Sequence, residues 1–168
     1  MYFSTKSFFD YPCCHRQHKH EGHCRHLHGY SRSFYFKFVS DTLDDKGWVW
    51  DFSDCKFIKK YLDEMFDHTV LINEDDDHLD SFRDLHERDL LKLVILENVS
   101  MEGTAKHLWE WVNRELHWRV NSKVDFNRRV RCWHVEVREN NKNSGIFEEE
   151  PYRIFSHQKD DFKSEGGI

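Results

Sequence analysis

The sequence has few residues that break a chain, and it has no long apolar run. Its 168 residues include only 2 prolines and 7 glycines, and we find neither an internal repeat nor a linker between domains. No apolar stretch reaches the roughly 18 to 20 residues of a membrane-spanning helix, and the first residues lack the pattern of a signal peptide. These absences predict one domain without a membrane segment, or one subunit of a larger assembly.

The cysteine and charge counts argue against two further classes. Five cysteines are an odd number without paired spacings, which indicates reduced thiols and a cytoplasmic protein rather than a disulfide framework. The formal net charge of -6 does not provide the basic face of a nucleic-acid binder, so we expect no nucleic-acid partner. With 38% apolar and 15% aromatic residues, the chain has enough apolar surface to fold around a core.

Histidine is the residue in excess, and it is concentrated near the N-terminus. Six of the 13 histidines fall within fourteen residues: His15, His18, His20, His23, His26 and His28. Each alone could be a solvated loop residue, but a dispersed cluster beside a cysteine favours a metal site. On an extended segment Cys24, His26 and His28 share a face, and His15 could close the site from the preceding loop. Three protein ligands and an open position are typical of catalytic zinc.

Hydrophobic periodicity predicts an α+β domain. Strands are predicted at 2–10, Arg32–Val39, Trp48–Phe52, Leu90–Leu96 and Arg131–Glu139, and helices at 54–66 and from about Ser100. We expect Arg32–Val39 and Trp48–Phe52 to pair as an antiparallel hairpin across a turn at 44–47. We interpret Glu74–Asp77 as a solvated acidic loop and the tail after about residue 140 as peripheral.

Several short motifs, taken together and in order, resemble one known family. They are His15-Arg16, Cys24-Arg25-His26-Leu27-His28-Gly29, Gly47-Trp48-Val49-Trp50-Asp51-Phe52-Ser53-Asp54, Phe66-Asp67-His68, Ser100-Met101-Glu102-Gly103-Thr104-Ala105 and Val137-Arg138-Glu139. The sequence is similar in these motifs to the 6-pyruvoyltetrahydropterin and 6-carboxytetrahydropterin synthases. The resemblance runs from about residue 3 to 140, which implies a synthase-like domain at 1–140 and a polar C-terminal extension at 141–168.

The resemblance implies the tunnelling fold (T-fold). Each subunit of that fold has a four-stranded antiparallel sheet with two helices on one face. Subunits join their sheets into a barrel, commonly a trimer whose pairs form a hexamer, with the active sites at subunit interfaces. A homo-oligomer is therefore expected, which also fits a chain whose sheet edges would otherwise be exposed.

The resemblance also implies a zinc cofactor. His15 and His28 match zinc-ligand positions. The family usually reads Leu-His-Gly-His where this chain has Leu27-His28-Gly29-Tyr30, so Tyr30 stands at the position of the third ligand. His26 or His23 could replace Tyr30 at the metal.

The remaining roles implied by the resemblance are catalytic and pterin-binding. Cys24 matches the cysteine that moves protons on the substrate side chain, and Asp67 and His68 match the pair that activates it and relays protons. Glu139 matches the glutamate that anchors the pterin ring. Glu102 stands where a second carboxylate near the pterin is expected.

The short spacing from His15 to Cys24 resembles the carboxy-forming branch of the family. The implied function is a lyase, a zinc-dependent 6-carboxy-5,6,7,8-tetrahydropterin synthase that acts on 7,8-dihydroneopterin triphosphate in queuosine-type 7-deazaguanine synthesis. Two alternatives stay open, a 6-pyruvoyltetrahydropterin synthase and a non-catalytic pterin- or purine-binding protein. The candidates for binding the triphosphate are Arg16, Lys19, Arg25 and Arg32.

Overall fold

The computed structural model describes residues 1–119 and 129–149. Within these ranges the chain forms six strands and three α-helices. The strands are β1 (Tyr2–His15), β2 (His28–Ser40), β3 (Thr69–Asn73), β4 (Leu93–Leu96), β5 (Arg131–Arg138) and β6 (Ser144–Glu148). The helices are α1 (Lys56–Phe66), α2 (Leu79–Glu87) and α3 (Met101–Arg119), and 3-10 turns cover His23–Arg25 and Phe52–Cys55. The two predicted helices and the predicted strand at Arg131–Glu139 are confirmed.

The six described strands form one sheet in the order β4-β3-β1-β2-β5-β6. β1, β2, β5 and β6 pair antiparallel with one another in that order. β3 and β4 extend the sheet in parallel orientation on the other side of β1. The sheet therefore has six strands rather than the predicted four, and a third helix, α2, lies between the two parallel strands in the sequence.

The core lies between the sheet and helices α1 and α3. β2 buries the alternating side chains of Phe34, Phe36 and Phe38, as its period-2 pattern predicts. α1 buries a stripe of Ile58, Leu62 and Phe66, and α3 buries Ala105, Leu108, Val112 and Leu116. The rings of Phe34 and Phe66 have centroids 4.8 Å apart. The helical spacing of these apolar residues thus places both helices on the face of the sheet that carries the phenylalanines.

The predicted hairpin between Arg32–Val39 and Trp48–Phe52 is wrong. β2 pairs with β1 and β5 instead, and residues 48–51 form no strand. The guanidinium of Arg129 donates hydrogen bonds to the carbonyl oxygens of Trp48 (3.3 Å) and Val49 (2.9 Å). A distant side chain thus satisfies carbonyls that a strand would pair with a neighbouring strand.

The sheet continues beyond the boundary predicted at residue 140. β6 pairs with β5 and packs against the start of α3, where a Cβ added to Gly145 would lie 2.3 Å from the backbone nitrogen of Glu102. This close approach requires a glycine. Residues 150–168 of the predicted extension lie outside the described residues. In the described part of the chain, no helix has the length and apolar character needed to cross a membrane.

Candidate metal centre

A β-bulge in β1 brings His15 onto the core face of the sheet. The register of β1 against β2 shifts between Phe8 and Tyr11, and Asp10 within the shift has a left-handed φ of 66°. Since one extra residue exchanges the two faces of a strand, the buried positions change from Phe8 to Tyr11, Cys13 and His15. The bulge therefore directs His15 to the same face as the phenylalanines of β2.

His15 and His28 form the centre of the candidate site. They are directly paired between the end of β1 and the start of β2, and their ring centroids are 4.4 Å apart. His15 is only 3% exposed, and its Nδ1 has no hydrogen-bond partner. Nδ1 of His28 lies 2.7 Å from the carbonyl oxygen of His26, a contact that fixes the ring and leaves Nε2 free for another ligand.

The electrostatic surroundings keep His15 neutral. Burial, together with the nearby charges of Arg32 and His28, lowers the pKa of His15 to about 3. A neutral imidazole is the form that binds a metal ion. A buried, neutral ring with an unpartnered nitrogen fits a metal ligand, and the missing partner is the kind of gap that an ion fills.

Glu139, predicted to anchor a pterin, lies beside the two histidines. One potential ligand atom from each of His15, His28 and Glu139 lies within 4.8 Å of the other two. Among the described histidine, cysteine and acidic side chains, this is the one set of three that comes together in this way. Oε2 of Glu139 accepts hydrogen bonds from the amides of Asn140 (3.2 Å) and Asn143 (3.3 Å). The carboxylate is therefore held in place.

The other predicted metal ligands are exposed. Tyr30 is 39% exposed, and its ring meets the His28 ring edge-on with centroids 5.8 Å apart. The side chains of His23 and His26 are exposed, and His26 turns its carbonyl oxygen toward His28. The structure thus places Tyr30 next to one of the histidines.

Cys24 lies half-buried in the 3-10 turn that precedes β2. Its carbonyl oxygen accepts a hydrogen bond from the backbone nitrogen of Gln17 at 2.9 Å, which closes the loop of residues 16–27 between β1 and β2, here called the His-rich loop. Its thiol is not part of the set formed by His15, His28 and Glu139. Cys24 is therefore near the metal centre in sequence but does not add a fourth ligand to that set.

Asp67 and His68 form an exposed pair at the start of β3. Oδ1 of Asp67 lies 2.7 Å from Nδ1 of His68, and the backbone nitrogen of His68 donates to the carbonyl oxygen of Pro12. His15 is paired with Leu71, three residues further along β3 than His68. Three residues of strand span about 10 Å, so the pair lies well away from His15 of the same chain. Glu102, also exposed, lies in the first turn of α3.

Arg32 is a fully buried cation beneath the metal centre, and its role there was not predicted. Its Nη1 donates to Oγ1 of Thr104 at 3.3 Å and its Nη2 to the carbonyl oxygen of Val99 at 3.4 Å, while its Nε has no partner. Burial lowers the pKa of Arg32, whereas Cys13 and Glu139 act in the opposite direction. The only signal in the sequence is a charged residue on the core face of β2. Such a weakly paired buried charge attracts anionic neighbours.

Ion pairs join the His-rich loop to the acidic loop Glu74–Asp77. The prediction that this acidic loop is only solvated is therefore wrong. Nε of Arg16 lies 2.8 Å from Oδ2 of Asp76, whose carboxylate is fully buried, and Nη2 of Arg16 lies 2.9 Å from Asp77. Lys19 pairs with Asp75. Two of the four triphosphate candidates, Arg16 and Lys19, are thus already paired with carboxylates.

The chain matches a protein family over most of its length. A family model described as 6-pyruvoyl tetrahydropterin synthase matches residues 4–150. The 6-carboxy-5,6,7,8-tetrahydropterin synthase of Rickettsia conorii is 32% identical over 68 residues, which cover 40% of this chain and 49% of that relative. The protein of the same name from Rickettsia felis matches with the same identity and coverage. The chain thus spans about half the length of the curated relatives it matches.

Solved structures share the fold at low sequence identity. An uncharacterized protein from Wolinella succinogenes superposes with a TM-score of 0.73 and 21% identity, covering 89% of this chain and 98% of that one. A catalytic-residue mutant of Plasmodium vivax 6-pyruvoyltetrahydropterin synthase gives 0.61 and 15%, with 89% and 99% covered. The Caenorhabditis elegans 6-pyruvoyl tetrahydropterin synthase gives 0.54 and 16%, with 89% and 98% covered.

The curled sheet with helices on one face, together with these structural neighbours, defines a protein of the tunnelling fold, as predicted. The match over residues 4–150 is more specific, since it covers the sheet, α1 and α3. The chain belongs to the 6-pyruvoyl tetrahydropterin synthase family.

Proposed function

We propose that this protein is a zinc-dependent 6-carboxy-5,6,7,8-tetrahydropterin synthase that acts on 7,8-dihydroneopterin triphosphate in queuosine-type 7-deazaguanine synthesis. The observation that carries the proposal is the buried, neutral His15, whose Nδ1 has no hydrogen-bond partner and which shares a centre with His28 and Glu139. The 32% identity to the Rickettsia carboxy-forming synthases favours this branch over the pyruvoyl-forming one.

His15 and His28 would hold the zinc ion. When bound, zinc supplies Lewis acidity that polarises oxygens of the substrate side chain and makes a neighbouring C–H more acidic. The resemblance gives Tyr30 as the third ligand, with His26 or His23 as substitutes, and the geometry adds Glu139 to these choices.

Cys24 is the proposed base, since a thiolate near a metal can remove a proton from an activated C–H. Its half-buried position in the 3-10 turn before β2 leaves the residue partly exposed to solvent. Asp67 and His68 are the proposed proton relay. Because the strand register puts His68 about 10 Å along the sheet from His15, we propose that the relay serves the site of a second copy in a homo-oligomer.

Glu139 and Glu102 are the proposed pterin-binding carboxylates. A carboxylate can accept two hydrogen bonds from an aminopyrimidinone ring and so fix its orientation. The side-chain amides of Asn140 and Asn143, which donate to Oε2, already orient Glu139.

All five cysteines are free thiols, which supports the proposed cytoplasmic location.

The decisive experiment is a turnover assay of the zinc-loaded protein with 7,8-dihydroneopterin triphosphate, with products identified by mass. We expect acetaldehyde, triphosphate and 6-carboxytetrahydropterin, and loss of turnover in Cys24→Ala. Cys14→Ala is the matched control, because Cys14 is also a half-buried free thiol close to the site in sequence. A pyruvoyl product would assign the protein to the other branch. Zinc binding without turnover would instead indicate a non-catalytic pterin-binding protein.

A further inference from the structure

The histidine pair supplies only two of the ligands that a catalytic metal site requires. Zinc sites of this type take three protein ligands and keep one position open for water or substrate. The third ligand must place an atom near both rings. Glu139 meets this condition, because one of its carboxylate oxygens and one nitrogen from each histidine ring all lie within 4.8 Å of one another.

Tyr30 is less suited to this role. Its ring stands edge-on to His28, and more than a third of the residue is exposed. A phenol is neutral at pH 7 and must lose a proton to become a strong ligand. A glutamate is already an anion, and two histidines with one glutamate are an established catalytic zinc set.

The surroundings of Glu139 also prepare it for a metal. Asn140 and Asn143 donate to Oε2 only, and neither donates to Oε1. Hydrogen bonds from outside the coordination sphere are what fix the orientation of a ligating carboxylate. Arg32, buried and without a partner at Nε, adds a positive charge that stabilises the anion.

We propose that His15, His28 and Glu139 are the three protein ligands of the metal in the substrate-free protein. One carboxylate cannot hold a metal ion and both hydrogen bonds of a pterin ring at once. On the proposed function, on which this second step rests, Glu139 would turn from the metal to the pterin ring when the substrate binds, and His15 and His28 would continue to hold the ion.

Metal titration tests the ligand set without any pterin. The full chain is stripped with a chelator and titrated with Co²⁺, and both the affinity and the visible absorption of the bound ion are measured. We expect Glu139→Gln to weaken Co²⁺ binding by about 100-fold or more, beyond the 10- to 100-fold typical of outer-sphere changes, and to alter the visible bands. Tyr30→Phe should change the affinity by less than about threefold and leave the bands unchanged. Glu102→Gln is the matched control, as an exposed carboxylate outside the set.

Glu139→Gln retains the volume and the amide contacts of the side chain, and an unchanged urea midpoint of the stripped variant would show that it folds. Equal Co²⁺ affinity in Glu139→Gln and the parent chain would overturn the inference, as would a 100-fold loss in Tyr30→Phe or a parent chain that binds no Co²⁺. The proposed function fails separately. If the chain binds Co²⁺ through Glu139 but does not convert the triphosphate, the proposed ligand set stands and the proposed enzymatic function is wrong.

Discussion

Replacing Gly145 with alanine tests whether β6 is an integral part of the fold. The added Cβ would lie 2.3 Å from the backbone nitrogen of Glu102, and 2.5 Å and 2.6 Å from the carbonyl carbon and Cβ of Met101. Ordinary contacts begin near 3.4 Å, so β6 and α3 would have to separate by about 1 Å. The backbone of a helix start cannot rotate away as the end of a flexible side chain can.

Overpacking of this kind lowers the free energy of unfolding by about 1 to 3 kcal/mol. Because the added Cβ meets backbone atoms of two residues, we expect Gly145→Ala to lie at the upper end, about 3 kcal/mol. With a urea m-value of about 2 kcal/mol/M, the midpoint should fall by about 1.5 M. Urea denaturation followed by circular dichroism measures this shift. Ser144→Ala, an exposed neighbour on the same strand, should stay within about 0.5 kcal/mol. A shift for Gly145→Ala no larger than that of Ser144→Ala would refute the packing of β6 on α3.

Three further predictions concern the loop and the site. Asp76→Asn should lower the free energy of unfolding in urea by about 2 kcal/mol, because Arg16 loses a short charge-assisted hydrogen bond to a buried carboxylate; an unchanged midpoint would show that the pair contributes nothing. In native thiol titration with a chromogenic disulfide, Cys14 and Cys24 should react well before the three buried cysteines; five equal rates would contradict the described burial. In chelator-treated protein, His15 should reduce stability as the pH falls. The pKa of His15 is about 3 in the folded chain and 6.5 ordinarily, so the unfolded chain binds more protons as the pH falls. The free energy of unfolding should therefore be about 2 kcal/mol lower at pH 5 than at pH 7. Urea titrations at the two pH values measure this difference, and His15→Gln should remove it.

The elements that could be predicted from sequence are those in which the hydrophobic pattern repeats several times. α1, α3 and β5 carry several buried residues at helical or alternating spacing, and each was found within about two residues. β6 has five residues, and among them only Gly145 is buried, so no period marks it. Trp48–Phe52 shows the opposite error: its apolar alternation resembles a strand, but its carbonyls bind Arg129, a partner about 80 residues away that no local pattern indicates.

The candidate site was predictable in part for the same physical reason. His15 and His28 belong to a dense local cluster, and the family resemblance singles out these two among its six histidines. The place of Glu139 beside them depends on the pairing of β2 with β5, with Ser33 opposite Arg138, and sheet register between distant segments is not a local property. Arg32 was named only for its charge. That it lies under the site follows from strand alternation, which placed it on the same face as Phe34.

β1 is an interior strand at one end and a sheet edge at the other. Only Cys13–His15 pair with β3, and His68 donates to Pro12, so within the described residues the stretch from Tyr2 to Tyr11 is paired with β2 alone. Fraying of a sheet starts where a strand is held on one side. The amide of His15 should therefore exchange its proton far more slowly than amides near Tyr2. We therefore expect the N-terminal half of β1, which carries no candidate ligand, to open more readily than the end of the strand that holds His15.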